Sequence, residues 1–111
     1  MSEPVIDEAT FRELQETAGA EFVAELVDTF VEEAPGMLAA LRQARATGDA
    51  DAFRRAAHSL KSNSLTFGAT ALAAAARALE LGGISSDAAV DGLQSAYDAA
   101  AQRLKELRDA A

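Results

Sequence analysis

The stretch DAFRRAAHSLKSNSLTFG, residues 51–68, has apolar side chains and one small serine that recur at a helical spacing. The steps between them are four, three, four and three residues, which places them on one face of an α-helix. Asp49 or Asp51 can cap the start of this helix, and Gly68 is predicted to stop it. The predicted inward face consists of Phe53, Ala57, Leu60, Ser64 and Phe67.

The rest of the chain repeats the same helical spacing in segments that are separated by helix-breaking residues. In the longest segment, Pro35 predicts a kink rather than a break, because the apolar spacing stays in phase across it. In the first segment, Asp7 is a predicted N-cap. The predicted helices cover residues 7–17, 20–46 and 70–81, and a last one begins after Ser86 or Asp87 and reaches nearly to the C-terminus.

Four amphipathic helices with short connections predict an antiparallel four-helix bundle. The fold class is therefore expected to be all-α, with an additional short N-terminal helix that closes one end of the bundle. A length of 111 residues fits a single domain over residues 1–111.

The composition excludes several classes of function. Eighteen acidic residues against ten basic ones give a net charge of -8, which disfavours binding to nucleic acid or to anionic lipid. The chain has no cysteine, which rules out disulfides and zinc–thiolate sites, and with a single histidine we expect no metal site. No apolar run could span a bilayer and no secretory signal is visible, so we expect a cytoplasmic protein.

The only histidine, His58, lies between core residues in sequence but on a different face of its predicted helix. Its neighbours at steps of three and four include Arg54, Arg55 and Lys61, so three cations are expected around the imidazole. Cations disfavour the protonated ring, and a neutral ring keeps one nitrogen lone pair that can act as a nucleophile. The same cations would stabilise an anionic group on that nitrogen. On position alone, however, a surface histidine more often has no function, and cations on a helix are more often a solvated face.

The segment AAHSLKSNSLTFGA, residues 56–69, resembles the signature of histidine-containing phosphotransfer (HPt) domains. That signature has the phosphorylated histidine, an apolar residue two later, a lysine three later, a small residue four later and a glycine ten later. The Leu79-Glu80 pair also resembles the Leu-Glu pair that closes the next helix in this family. Ser62 stands where the family often has glycine. The matching residues are His58, Leu60, Lys61, Ser62 and Gly68.

The resemblance implies a phosphorelay intermediate that accepts a phosphoryl group from a receiver-domain phospho-aspartate and passes it to another receiver. His58 would carry the group, Lys61 would stabilise its charge, and Ser62 would allow close approach. The partners would be response-regulator receivers and a sensor histidine kinase, which can be a hybrid kinase, and Mg²⁺ would come with the receiver. Because the chain has no nucleotide motif, we expect a carrier rather than an enzyme. We expect it to be a monomer, since a carrier has to present the same face to successive partners.

The receiver is expected to dock over the second and third predicted helices. The residues that could contribute to docking or to its electrostatics are Arg54, Arg55, Asn63 and Leu65.

Two other functions fit parts of the pattern. The chain could be a helical interaction module that binds a receiver or kinase without accepting phosphate. It could also be a hydrolase with His58 as general base, although helical spacing places no partner carboxylate beside that residue.

Overall fold

The computed structural model describes residues 5–84 and 87–110, and within these residues it contains five α-helices and no β-strand. This confirms the all-α fold class, and the helix ends agree with the predicted ones to within one residue. Ser86, one of the two predicted starts of the last helix, lies outside the described residues. The helices are α1 (Glu8–Ala18), α2 (Ala20–Thr47), α3 (Ala50–Thr66), α4 (Thr70–Gly82) and α5 (Asp87–Ala110).

The four longer helices form the bundle. Both α2 and α4 pack against α3 and against α5, so α3 and α5 lie diagonally opposite each other. The core between them is apolar, and burial of this surface is the main force that holds the helices together. None of the helices in the described residues is long and apolar enough to cross a membrane. The largest fully buried side chains include Leu41, Phe53, Leu60, Leu72, Leu93 and Leu104.

Pro35 lies inside α2 and does not divide it. The helix runs for 28 residues from Ala20 to Thr47, and Ala34 beside the proline is fully buried in the core. The alternative of two helices that meet at Pro35 is therefore wrong, and packing of the continuous apolar face offsets the local cost of the proline.

The short helix α1 closes one end of the bundle. Its start is capped by Asp7, whose carboxylate accepts from the backbone N–H groups of Ala9 and Thr10. The helix packs on α2, and Glu8 forms a 2.7 Å ion pair with Arg103 of α5. The backbone N–H of Asp7 also donates to the carbonyl of Gly68 at 2.7 Å, which ties α1 to the end of α3.

Gly68 ends α3 in the left-handed region, with a φ of 75°. Its N–H donates to the carbonyl of Leu65 at 3.1 Å, and the N–H of Ala69 donates to the carbonyl of Ser64 at 2.9 Å. This pair of bonds is the Schellman arrangement, which satisfies carbonyls that the last helical turn leaves without partners. The turn that follows leads directly into α4, so α3 and α4 pack side by side.

Candidate functional site

His58 lies on the exposed side of α3. The opposite face of that helix is held in the core by three fully buried residues, Phe53, Ala57 and Leu60. The side chain of His58 is 57% exposed. The imidazole therefore projects into solvent from a helix that its opposite face holds in place.

A carboxylate from the next helix holds this imidazole. One oxygen of Glu80, on α4, contacts Nδ1 of His58, and the other accepts a hydrogen bond from Nζ of Lys61 at 2.7 Å. The Glu80 side chain is only 11% exposed and Lys61 is 21% exposed. Leu79, next to Glu80, is buried, so the packing of α4 aims the carboxylate at α3.

The charge state of Glu80 determines which imidazole nitrogen is available. The hydrogen bonds that Glu80 accepts, first from Lys61 and then from His58, lower its pKa below the ordinary value, despite the opposing effect of burial. At neutral pH Glu80 is therefore an ionised carboxylate, which can only accept hydrogen bonds. The imidazole must then donate from Nδ1, and in the neutral ring the lone pair is left on Nε2.

The charge around the site differs from the sequence expectation. Arg54 and Arg55 each form an ion pair with Asp51, at 3.0 and 3.1 Å, and Lys61 is bound to Glu80. Arg54 and Arg55 share one carboxylate and Lys61 has the other, so two carboxylates offset most of the positive charge that the sequence places around His58. The pKa of Asp51 is lowered, first by the hydrogen bond from Arg54 and then by the charge of Arg55.

No group of three or more metal-ligating side chains is present in the described residues. The carboxylate and imidazole of the site are already bound to each other, and only Glu80 contributes an oxygen ligand there.

The model of the Hpt domain family matches residues 25–111. The chain belongs to the Hpt domain family. Over the whole fold it is similar to the crystal structure of histidine-containing phosphotransfer protein B (HptB) from Pseudomonas aeruginosa PAO1, with 30% sequence identity, a TM-score of 0.89, and coverage of 99% of each chain. Among curated proteins, no sequence matches this chain.

The other predicted site residues, Ser62 of the signature and the docking candidates Asn63 and Leu65, lie at different places around the imidazole. Ser62 is exposed on α3, one turn after His58. Asn63 is directed towards α2, where its amide donates to the sulfur of Met37 at 3.7 Å. Leu65 is 54% exposed and lies on the α4 side of α3. Only Lys61 shares a direct partner with His58.

Glu80 is the residue whose role the sequence reasoning missed. It is 22 residues from His58, so no helical spacing connects the two. The Leu79-Glu80 pair of the Hpt resemblance drew attention to Glu80 in the sequence. It did not indicate that Glu80 contacts His58 and Lys61. The contact depends on how α3 and α4 pack.

Proposed function

We propose that this Hpt domain is a phosphorelay intermediate that accepts a phosphoryl group on Nε2 of His58 from a receiver phospho-aspartate and passes it to the aspartate of another receiver. The observation that carries the proposal is the hydrogen-bonded arrangement of His58, Glu80 and Lys61 on an exposed helix face. Family membership supports a histidine phosphotransfer role, and Hpt domains interact with the receivers and kinases of two-component systems.

The transfer step uses the lone pair of Nε2. This nitrogen attacks the phosphorus in line, an N–P bond forms, and the P–O bond to the donor aspartate breaks, so that the aspartate leaves as a carboxylate. Positive charge develops on the ring during attack, and Glu80 stabilises it through the Nδ1–H hydrogen bond. Transfer to the next receiver is the reverse of this step.

Lys61 stabilises the transferred group without leaving its place. An ammonium has three donors, and the contact with Glu80 uses one of them. The others can reach phosphoryl oxygens one helical turn from the acceptor nitrogen. Ser62 leaves room over the imidazole for the partner, while Arg54 and Arg55 contribute to the electrostatics of docking. The Mg²⁺ that this chemistry uses is bound by the receiver.

The proposal is tested by transfer of label from phosphorylated receivers in the presence of Mg²⁺. We expect the wild-type chain to take up label that is lost in acid, as phosphohistidine is, and His58→Gln to take up none. Binding of a receiver without acid-labile label would instead support the non-phosphorylated interaction module, and label on His58→Gln would contradict the assignment of the site.

The role of Glu80 has a separate test. Glu80→Gln keeps the size of the side chain but removes its charge. The hydrogen bond that favours the Nδ1–H tautomer of His58 therefore weakens. We expect slower transfer and a larger fraction of the Nε2–H tautomer, which ¹⁵N chemical shifts of the imidazole measure. Glu13→Gln, which makes the same change at an exposed position of α1, is the matched control. An unchanged tautomer ratio in Glu80→Gln would contradict the positioning role.

A further inference from the structure

A groove of about 250 Å³ lies between α3 and α4. It runs along α4 from Thr70 to Arg77, two residues on one face of that helix that are about 10 Å apart along its axis. Pockets for drug-sized ligands enclose roughly 300–1,000 Å³, so this groove fits a smaller molecule. Its lining consists of Lys61, Leu65, Thr70, Ala73, Ala74 and Arg77.

The charged part of this lining is entirely cationic. Lys61 and Arg77 contribute to the groove, and no carboxylate does. The chain as a whole has eighteen acidic and ten basic residues, so the groove is a local excess of positive charge. Arg77 forms no ion pair with any residue that the structure describes, whereas Arg103 and Arg108 each bind carboxylates. Arg77 is therefore available to an anion from outside the chain.

The two kinds of side chain in the groove define a ligand class. A guanidinium pairs with an anionic group through two parallel hydrogen bonds, and an ammonium that already donates to Glu80 has two donors left. The half-exposed Leu65 and the exposed Ala74 offer apolar surface that an alkyl chain would remove from water. A neutral or cationic amphiphile would bury the same apolar surface but would leave Arg77 without a partner.

We propose that the groove between α3 and α4 is a binding site for a small amphipathic anion, of which a medium-chain carboxylate is the simplest case. The charged group pairs with Arg77 and Lys61, and the apolar chain lies along Leu65 and Ala74. The site is separate from the predicted receiver surface over α2 and α3, and binding to it does not depend on the proposed phosphorelay function.

Lys61 connects this groove with the phosphoacceptor. It lines the groove, and it donates to the same carboxylate, Glu80, that holds His58. A bound anion competes with the phosphoryl group for the remaining donors of Lys61. Occupation of the groove should therefore slow phosphorylation of His58.

The binding test is a titration of the full ¹⁵N-labelled chain with octanoate, followed by amide chemical shifts. We expect saturable shifts centred on Leu65, Ala74 and Arg77. Octanol lacks the charge and octylammonium reverses it, so both should bind roughly tenfold more weakly or worse. From butanoate to hexanoate to octanoate, each added methylene should tighten binding by about two- to fourfold. Equal affinity for the three head groups would overturn the proposal, and so would shifts centred elsewhere.

Variants test the named contacts. Arg77→Gln should weaken octanoate binding roughly tenfold, and Leu65→Ser should weaken it several-fold. The matched controls are Arg12→Gln on α1 and Phe22→Ser on α2, which should stay within about twofold of wild type. All four positions are exposed, so circular dichroism should show intact helices. Wild-type affinity in Arg77→Gln would overturn the proposal. If octanoate shifts no amide but an acidic helical peptide shifts those of the groove, the groove is a protein contact and the proposal is wrong.

The link to His58 is measured with phosphoramidate, a small phosphoryl donor that needs no docking surface. Octanoate at a concentration that fills most wild-type sites should slow labelling by about two- to fourfold, and it should slow Arg77→Gln much less. Binding without any change in labelling would overturn the competition for Lys61. If neither phosphoramidate nor a receiver labels the wild-type chain, the proposed function fails, while the titration still decides whether the groove binds the anion.

Discussion

Replacement of Gly68 by alanine should destabilise the fold without touching the imidazole. A Cβ at this position would lie 2.8 Å from the backbone oxygen of Asp7 and 2.9 Å from Cβ of Thr10. Both atoms belong to the start of α1 and its cap, so they cannot move without disturbing the contact that closes the end of the bundle. The 2.7 Å hydrogen bond between Asp7 and Gly68 would be strained at the same time.

Gly48 provides a matched control for the size of this effect. Its φ is 73°, close to the 75° of Gly68, but a Cβ there would meet nothing within 4 Å. An alanine in the left-handed region costs about 1–2 kcal/mol, of which about 0.4–1 kcal/mol is offset by the stiffer unfolded chain. Gly48→Ala should therefore cost about 1 kcal/mol. The clash adds about 1–3 kcal/mol for overpacking, which gives about 2–4 kcal/mol for Gly68→Ala.

The assay is urea unfolding followed by circular dichroism, with both variants compared with wild type. Gly68→Ala should unfold at a clearly lower urea concentration than Gly48→Ala, while the folded Gly68→Ala protein should accept phosphoryl label at the wild-type rate. If the two variants lose equal stability, then α1 does not constrain Gly68 and the steric argument is wrong. If Gly68→Ala stays stable but loses transfer, the glycine acts on the site directly.

Three further predictions follow from the site and the core. Ser62→Phe should slow transfer from a receiver but not labelling by phosphoramidate, whereas Ser62→Ala should behave like wild type in both assays. Because the pKa of Glu80 lies below its ordinary value of 4.5 in the folded protein, its contacts stabilise the fold above that pH. Their contribution is lost as the pH falls through the lowered value, so urea unfolding from roughly pH 6 to pH 3 should show a smaller acid loss in Glu80→Gln than in wild type. Tyr97→Phe removes the hydrogen bond from its hydroxyl to the carbonyl of Val31. It should lower the free energy of unfolding by about 0.5–1.5 kcal/mol, measured in the same way.

Periodicity was sufficient to predict α3 because its buried positions are a local property of the sequence. The predicted inward residues Phe53, Ala57 and Leu60 are all fully buried. The choice between Asp49 and Asp51 as the cap could not be made in the same way, since both are good capping residues. In the structure Asp49 accepts from the N–H of Ala52, and Asp51 pairs with arginines instead.

The site was less predictable than the fold because half of it comes from another helix. Spacing along α3 placed Arg54 and Arg55 near His58, but it could not show that both would turn to Asp51. It could not show Glu80 either, because a contact across 22 residues depends on the rotation of α4 relative to α3. Such contacts follow from packing and not from local pattern.

The core therefore sets the geometry of the site. His58 follows the buried Ala57, and Glu80 follows the buried Leu79, so each helix places its polar residue one position beyond a core contact. A shift of either helix by one residue would rotate its side chains by about 100° and separate the imidazole from the carboxylate. The apolar contacts of the core, rather than the ion pairs of the site, hold the helices in this register. It follows that substitution of the exposed His58 should change transfer with little effect on folding, whereas loss of Glu80 or Lys61 should also remove the stability that their ion pair contributes. Substitutions of the core residues beneath them should reduce both together.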